Sequence, residues 1–203
     1  MGRPALGTAA YYDRTAARWA EEGYAQDAEL PCLGAFLSLL PPGGRVLDLC
    51  CGPGYESRRV RRLGFQAVGL DISPGCLAIA RQRNPDIPFY QGDLLEDYTR
   101  VGPVDGILVI AGLVHVETLD LPLAFQRMDE VLRPGGYVLA TIREGVGRME
   151  DRSVIDIDGQ RYDRNFIAHT PQELAQAAGP RFRPLPELPS DMAVWRSCLF
   201  QKQ

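Results

Sequence analysis

Apolar residues in this chain follow two alternating rhythms. Short runs of strand length, Val46 to Leu49, Gln66 to Leu70, Ile87 to Gln91, Val104 to Ala111 and Tyr137 to Ile142, are separated by stretches with apolar positions at helical spacing. In the first such stretch Val60 and Leu63 turn inward; the second runs from Pro74 to about Arg83 with Ser73 as N-cap. In the third, Leu121, Ala124, Phe125, Met128, Val131 and Leu132 share one face, and Arg133-Pro134-Gly135-Gly136 turns the chain into the fifth strand. Val104 to Ala111 is almost unbroken, as expected of a central parallel strand covered on both faces. Ahead of this series Tyr12, Ala16 and Trp19, then Leu30, Leu33, Leu37 and Leu40, predict two helices, the second ended by Pro41-Pro42-Gly43-Gly44. Behind it come a charged, glycine-containing insertion from Arg143 to about Arg164 and a short helix opened by Thr170-Pro171-Gln172-Glu173, with capping-box spacing. Two last stretches, about Arg181 to Leu188 and Met192 to Gln201, read as an antiparallel strand pair closing one sheet edge.

Alternating strands and helices predict one doubly wound α/β sheet of seven strands, mostly parallel, with an antiparallel C-terminal edge pair. All 203 residues fit a single domain: a helical cap over 1–42, a core over 43–142, and a lid-like insertion with terminal strands over 143–203. Charge narrows the partners. A formal net charge of −4 and a pI near 5.3 leave no electrostatic footprint for nucleic acid. No apolar run reaches membrane-spanning length, and Met1 to Ala10 lacks a signal pattern, so neither a membrane partner nor export is expected. Five cysteines without a C-x-x-C pair, and only two histidines, argue against a zinc site and a disulfide framework. The expectation is a reduced, cytoplasmic protein, monomeric or homodimeric, with Cys50 and Cys51 as small residues packed at a crowded strand end.

The chemistry concentrates in Val46-Leu47-Asp48-Leu49-Cys50-Cys51-Gly52-Pro53-Gly54-Tyr55-Glu56. A strand breaks there into a glycine-permissive turn and then a helix, and a second strand ends on Asp71 about 20 residues on. Open parallel sheets bind ligands at the carboxyl ends of such strands, and a carboxylate there fits a ribose diol. A nicotinamide fingerprint needs a third glycine where this chain has Ser57. Asp48, just before the turn, would repel a pyrophosphate and welcome an ammonium.

The acid followed by a two-glycine turn resembles motif I of the class I S-adenosylmethionine-dependent methyltransferases. Gly69 to Ser73 is similar to that family's ribose-binding segment, and Gly92-Asp93 to its adenine-binding segment. Val104 to Ile107 and the later Leu113-Val114-His115-Val116 resemble motif IV and its extension, and Leu132 to Tyr137 the turn before strand five. The fit is best to a bacterial small-molecule group that also carries an Arg-Tyr or Arg-Phe pair in the insertion, here Arg161-Tyr162.

This resemblance implies S-adenosylmethionine as cofactor and a small molecule as methyl acceptor. It also implies roles: Asp48 near the methionine ammonium, backbone at Cys50, Gly52 and Gly54 along the cofactor, and Asp71 on both ribose hydroxyls. Ile72 would pack on adenine, Asp93 and the Leu94 amide would bond its edge, and Ile110 and Tyr12, with Tyr11, would line or cover the site. Cys50 stands where the family has its first glycine, which is tolerable if the backbone there keeps to β space. That replacement, and the lack of an acidic or aromatic catalytic signature after strand four, leave an alternative open: a binding module that holds the cofactor without turnover. His115 reads three ways, as general base, orienting donor or structural histidine. Arg161 and Tyr162 would meet an anionic or aromatic acceptor, or pair at the surface. His169 reads as a surface or capping residue. Arg58, Arg59, Arg61 and Arg62 read as a solvated helix face.

Overall fold

A computed structural model describes residues 6–25, 31–189 and 194–203 of the chain. Leu30 and Met192, assigned above to a helix and a strand, lie outside the described residues. Helices α1 (Thr8–Ala25) and α2 (Pro31–Leu37) precede strand β1 (Arg45–Leu49). Then follow α3 (Tyr55–Arg62), β2 (Gln66–Asp71), α4 (Pro74–Arg83), β3 (Phe89–Gln91), β4 (Val104–Ile110), α5 (Leu121–Val131) and β5 (Leu132–Arg143). The insertion is not irregular: it folds as β6 (Gly147–Arg148), α6 (Glu150–Ser153), β7 (Val154–Ile157), β8 (Gln160–Asp163) and β9 (Ile167–Ala168). Helix α7 (Pro171–Ala178) and strands β10 (Phe182–Leu185) and β11 (Trp195–Lys202) complete the chain.

The main sheet has seven strands in the order β10-β11-β5-β4-β1-β2-β3. Strands β1 to β5 pair in parallel, while β11 pairs antiparallel with both β5 and β10. The expected α/β sheet with an antiparallel edge pair is thus the observed one. In addition β7 and β8 form a hairpin, and β6 pairs with β9.

Side-chain alternation along the strands divides the core into two layers. Leu47, Leu49, Ile107 and Val109 face the helices α5 and α7, whose Phe125, Met128 and Leu174 are fully buried there. Val46, Leu108 and Leu139 face the other side, against Phe36 of α2, Val60 of α3 and Leu77 of α4. Burial on both faces is why these strands carry nearly continuous apolar runs. Thr170 caps α7 through the expected box, accepting from the Glu173 amide while Glu173 accepts from the Thr170 amide.

Two readings of α3 need correction. Leu63 falls just past the helix end, where the chain turns away, and is 36% exposed. Arg59 is not on a solvated face: it is buried against Tyr55 and ion-paired with Glu56 one turn earlier. A guanidinium with its own carboxylate at i−3 enters a helix interface at little cost, which a run of arginines does not disclose.

Candidate active site

The carboxyl ends of β1, β2 and β4 open into a cavity of about 380 Å³ beneath α1. Each strand delivers its last residues differently. Strand β1 buries Asp48, whose Oδ2 accepts from Ser57 Oγ on α3 at 2.6 Å. Desolvation pushes this carboxyl up to about 7, with the Ser57 hydroxyl pulling the other way. Strand β2 ends on Asp71, which accepts from the Gly52 amide through Oδ2 and from the Ser73 amide through Oδ1, both at 2.8 Å. It therefore ties the turn after β1 to the turn after β2. Burial raises its carboxyl too, opposed by those two amides.

The turn between β1 and α3 departs from expectation at Cys50. Its φ is +64°, in the left-handed region, not in β space. A glycine would take this backbone freely, and cysteine holds it at a cost of about 1–3 kcal/mol. Ala111, after β4, is also left-handed at φ +53°, and both residues line the cavity. The two glycines separate in role. A Cβ on Gly52 would meet nothing within 4 Å, and Gly52 borders the cavity. Gly54 does not border it; a Cβ there would press on Ala80 and Phe89 at 3.0 Å, so this glycine serves helix packing. Ile72, Asp93, Leu94 and Ile110 all line the cavity, with Ile72 37% exposed, and Asp93 Oδ1 accepts from the Leu95 amide.

Other walls come from α1, the turn after β4 and the insertion. Tyr12 and His115 meet here at 2.8 Å, from Tyr12 Oη to His115 Nε2. His115 Nδ1 lies 2.7 Å from the Asn165 carbonyl and 3.0 Å from that of Arg164. Carbonyl oxygens only accept, so Nδ1 carries the proton and Nε2 accepts from the Tyr12 hydroxyl. Burial, with the Arg164 charge, lowers the affinity of His115 for a second proton, while the two carbonyls favour it. Burial also raises the Tyr12 hydroxyl, which stays protonated.

Arg161 and Tyr162 do not reach the cavity. Alternation along β8 turns Arg161 to solvent and buries Tyr162 against Tyr11, with ring centroids 6.1 Å apart. Arg164 and Phe166, just past the strand, line the cavity instead, with Arg152, Trp19 and Trp195. The relevant signal was one more alternation along the chain, hidden because the insertion gave no strand register. His169 is corrected as well: it is fully buried, and its Nε2 donates to the Leu113 carbonyl at 3.1 Å, bracing the turn that carries His115.

Residues 46–136 match the family model described as "Methyltransferase domain". The malonyl-[acyl-carrier protein] O-methyltransferase of Serratia marcescens is 33% identical over 138 residues, covering 68% of this chain and 53% of that protein. The 2-phytyl-1,4-naphtoquinone methyltransferase of Thermosynechococcus vestitus is 44% identical over 103 residues, covering 48% of this chain and 45% of its own. The chain thus spans about half the length of these relatives. Among solved structures, a SAM-dependent methyltransferase from Bacteroides fragilis in complex with S-adenosyl-L-homocysteine superposes with a TM-score of 0.73 at 16% identity, covering 100% of this chain and 98% of that one. With that domain match at its centre and this strand order around it, the chain is similar to the class I S-adenosylmethionine-dependent methyltransferases.

Proposed function

We propose that the protein transfers a methyl group from S-adenosylmethionine to a small-molecule acceptor, releasing S-adenosylhomocysteine. One observation carries this reading: a single cavity joins a set of strand-end acids to a tyrosine–histidine pair. The acids suit the cofactor. Asp71 lies at the end of β2, where a diol is expected, Asp48 would face an ammonium, and the open Cβ direction of Gly52 leaves room for close backbone approach. Exposed Ile72 offers a flat apolar contact for a purine. S-adenosylmethionine supplies an electrophilic methyl group on a sulfonium, so the protein's remaining task is to hold a nucleophile in line with it.

Tyr12 and His115 suit that task. A hydroxyl nucleophile bonded to Tyr12 Oη would give its proton to that oxygen as the tyrosine proton moves to His115 Nε2. The imidazolium so formed keeps its Nδ1 proton on the Asn165 and Arg164 carbonyls, which stabilise the added charge. Such proton transfer contributes roughly 10²–10⁴-fold, on top of about 7–11 kcal/mol available from positioning. Because His115 Nε2 also holds Tyr12 Oη and acts on the acceptor through it, His115 is a positioning residue as well as the proposed base. A methyl-labelled S-adenosylmethionine assay against a panel of hydroxylated metabolites tests the reading. Label transfer to at least one acceptor is expected; S-adenosylhomocysteine binding without any transfer would instead leave a binding module.

A further inference from the structure

We propose that Arg164 is a carboxylate anchor, so that the methyl acceptor is a small acid whose body is apolar and ring-sized. This deepens the proposed function and rests on it, since it assigns a substrate class to the same cavity. Arg164 is 7% exposed and lines the cavity, yet its guanidinium has no carboxylate partner among the described residues. Burying a charge without a counter-charge is costly, and such groups are normally paired. What surrounds Arg164 holds it in place without neutralising it. Its Nε donates to the Arg152 carbonyl at 2.8 Å, and its guanidinium lies 4.8 Å from the Tyr11 ring centre and 4.9 Å from that of Phe166. Its backbone is pinned too, the amide donating to the Ser153 carbonyl at 3.0 Å and its own carbonyl accepting from Thr8 Oγ1 at 2.6 Å.

A second observation points the same way. Trp19 lines the same cavity, and its buried Nε1 donor has no hydrogen-bond partner among the described residues. A guanidinium without a counter-charge beside an indole donor without a partner calls for an acceptor-only group, and a carboxylate is one that also carries the missing charge. The aromatic side chains of Tyr12, Phe166 and Trp195 give the body of such an acid an apolar wall. The carboxylate is a handle and not the methylated atom, because an oxygen pair held by a guanidinium is a weakened nucleophile. Its charge would also cancel the cation that opposes proton uptake by His115.

The test titrates a panel of aryl carboxylates, each beside its uncharged primary amide (benzoate with benzamide as the first pair), into protein saturated with S-adenosylhomocysteine. Acids are expected to bind at least about tenfold tighter than their amides. Arg164→Met should abolish that preference with S-adenosylhomocysteine affinity unchanged, and Arg164→Lys should retain part of it. Saturable S-adenosylhomocysteine binding without preference for any acid, or a preference that survives Arg164→Met, would overturn the anchor. A wild-type protein that does not bind S-adenosylhomocysteine at all would overturn the functional reading beneath it, which the first step of the titration reads separately. Should Arg164→Met not fold, the wild-type comparison of acid with amide decides alone.

Discussion

Asp71 and His115 line the same cavity but reach it by different routes. Asp71 sits at the end of a strand and binds the Gly52 and Ser73 amides, both in turns that follow neighbouring strands. Its place follows from the sheet itself. His115 depends on partners far away in sequence, Tyr12 in α1 and the carbonyls of Arg164 and Asn165 in the insertion. The first arrangement is built within the sheet's own strand ends and turns. The second is assembled from three segments whose lengths and sequences the fold leaves free, so it is where acceptor choice can vary at little cost to the core. Charge divides in the same way: Asp48, Asp71 and Asp93 belong to the β1–β3 side, and Arg152 and Arg164 to the insertion.

Substitutions can break that division. The largest effect is expected for His115→Ala, which should lower turnover by roughly 10²–10⁴-fold. If the two sides are separate, S-adenosylhomocysteine affinity in this variant stays within about 0.5 kcal/mol of wild type by calorimetry. A parallel loss of cofactor affinity would show that the histidine supports both sides. Next is Gly52→Val. A branched side chain here combines a left-handed backbone, φ +52°, with added bulk at a residue that lines the cavity. Cofactor affinity should fall by about a hundredfold, or about 2.7 kcal/mol. Unchanged affinity would mean that the turn does not face the cofactor.

Asp71→Ala should cost about 1.5–3 kcal/mol of cofactor affinity. It should also lower the melting temperature, because two turn amides lose their acceptor. A variant with a lower melting point and full affinity would make Asp71 purely a brace for the two turns.

The smallest effect is a pH dependence. The Asp48 carboxyl rises from 3.8 to about 7 on folding, so the folded protein holds this proton more tightly than the unfolded chain. Its contribution therefore weakens the ligand-free fold as pH climbs from about 4 to about 7, and levels off above. Binding runs in the opposite sense. An ammonium prefers the carboxylate, so S-adenosylhomocysteine affinity should rise by up to about tenfold between about pH 6 and pH 7 and then flatten. Asp48→Asn should remove this dependence; a slope that persists in the variant belongs to another group.

The same division governs what the sequence made legible. Asp48, Gly52 and Asp71 could be read because strand, turn and strand are local signals, and the sheet forces their ends together. The left-handed backbone of Cys50 is not legible locally, because the chain after β4 comes close there, with Gly112 packed against the Cys50 side chain. In the insertion the register was invisible. The sequence pattern points to Arg161 and Tyr162, whereas Arg164 and Phe166 line the cavity, since only the β7–β8 hairpin decides which residues emerge past it. His169 looked like a surface residue because its partner, the Leu113 carbonyl, is 56 positions away. Arg59 looked solvated because a run of arginines conceals which member is buried with Glu56.

The central claim is that the acids at the strand ends form a site for the methyl donor. Calorimetric titration of the wild-type protein with S-adenosylhomocysteine, and separately with NAD, tests it most directly. Saturable binding of one S-adenosylhomocysteine per chain and no heat with NAD is the predicted result. NAD binding, or the absence of any heat with S-adenosylhomocysteine from a folded protein, would contradict it.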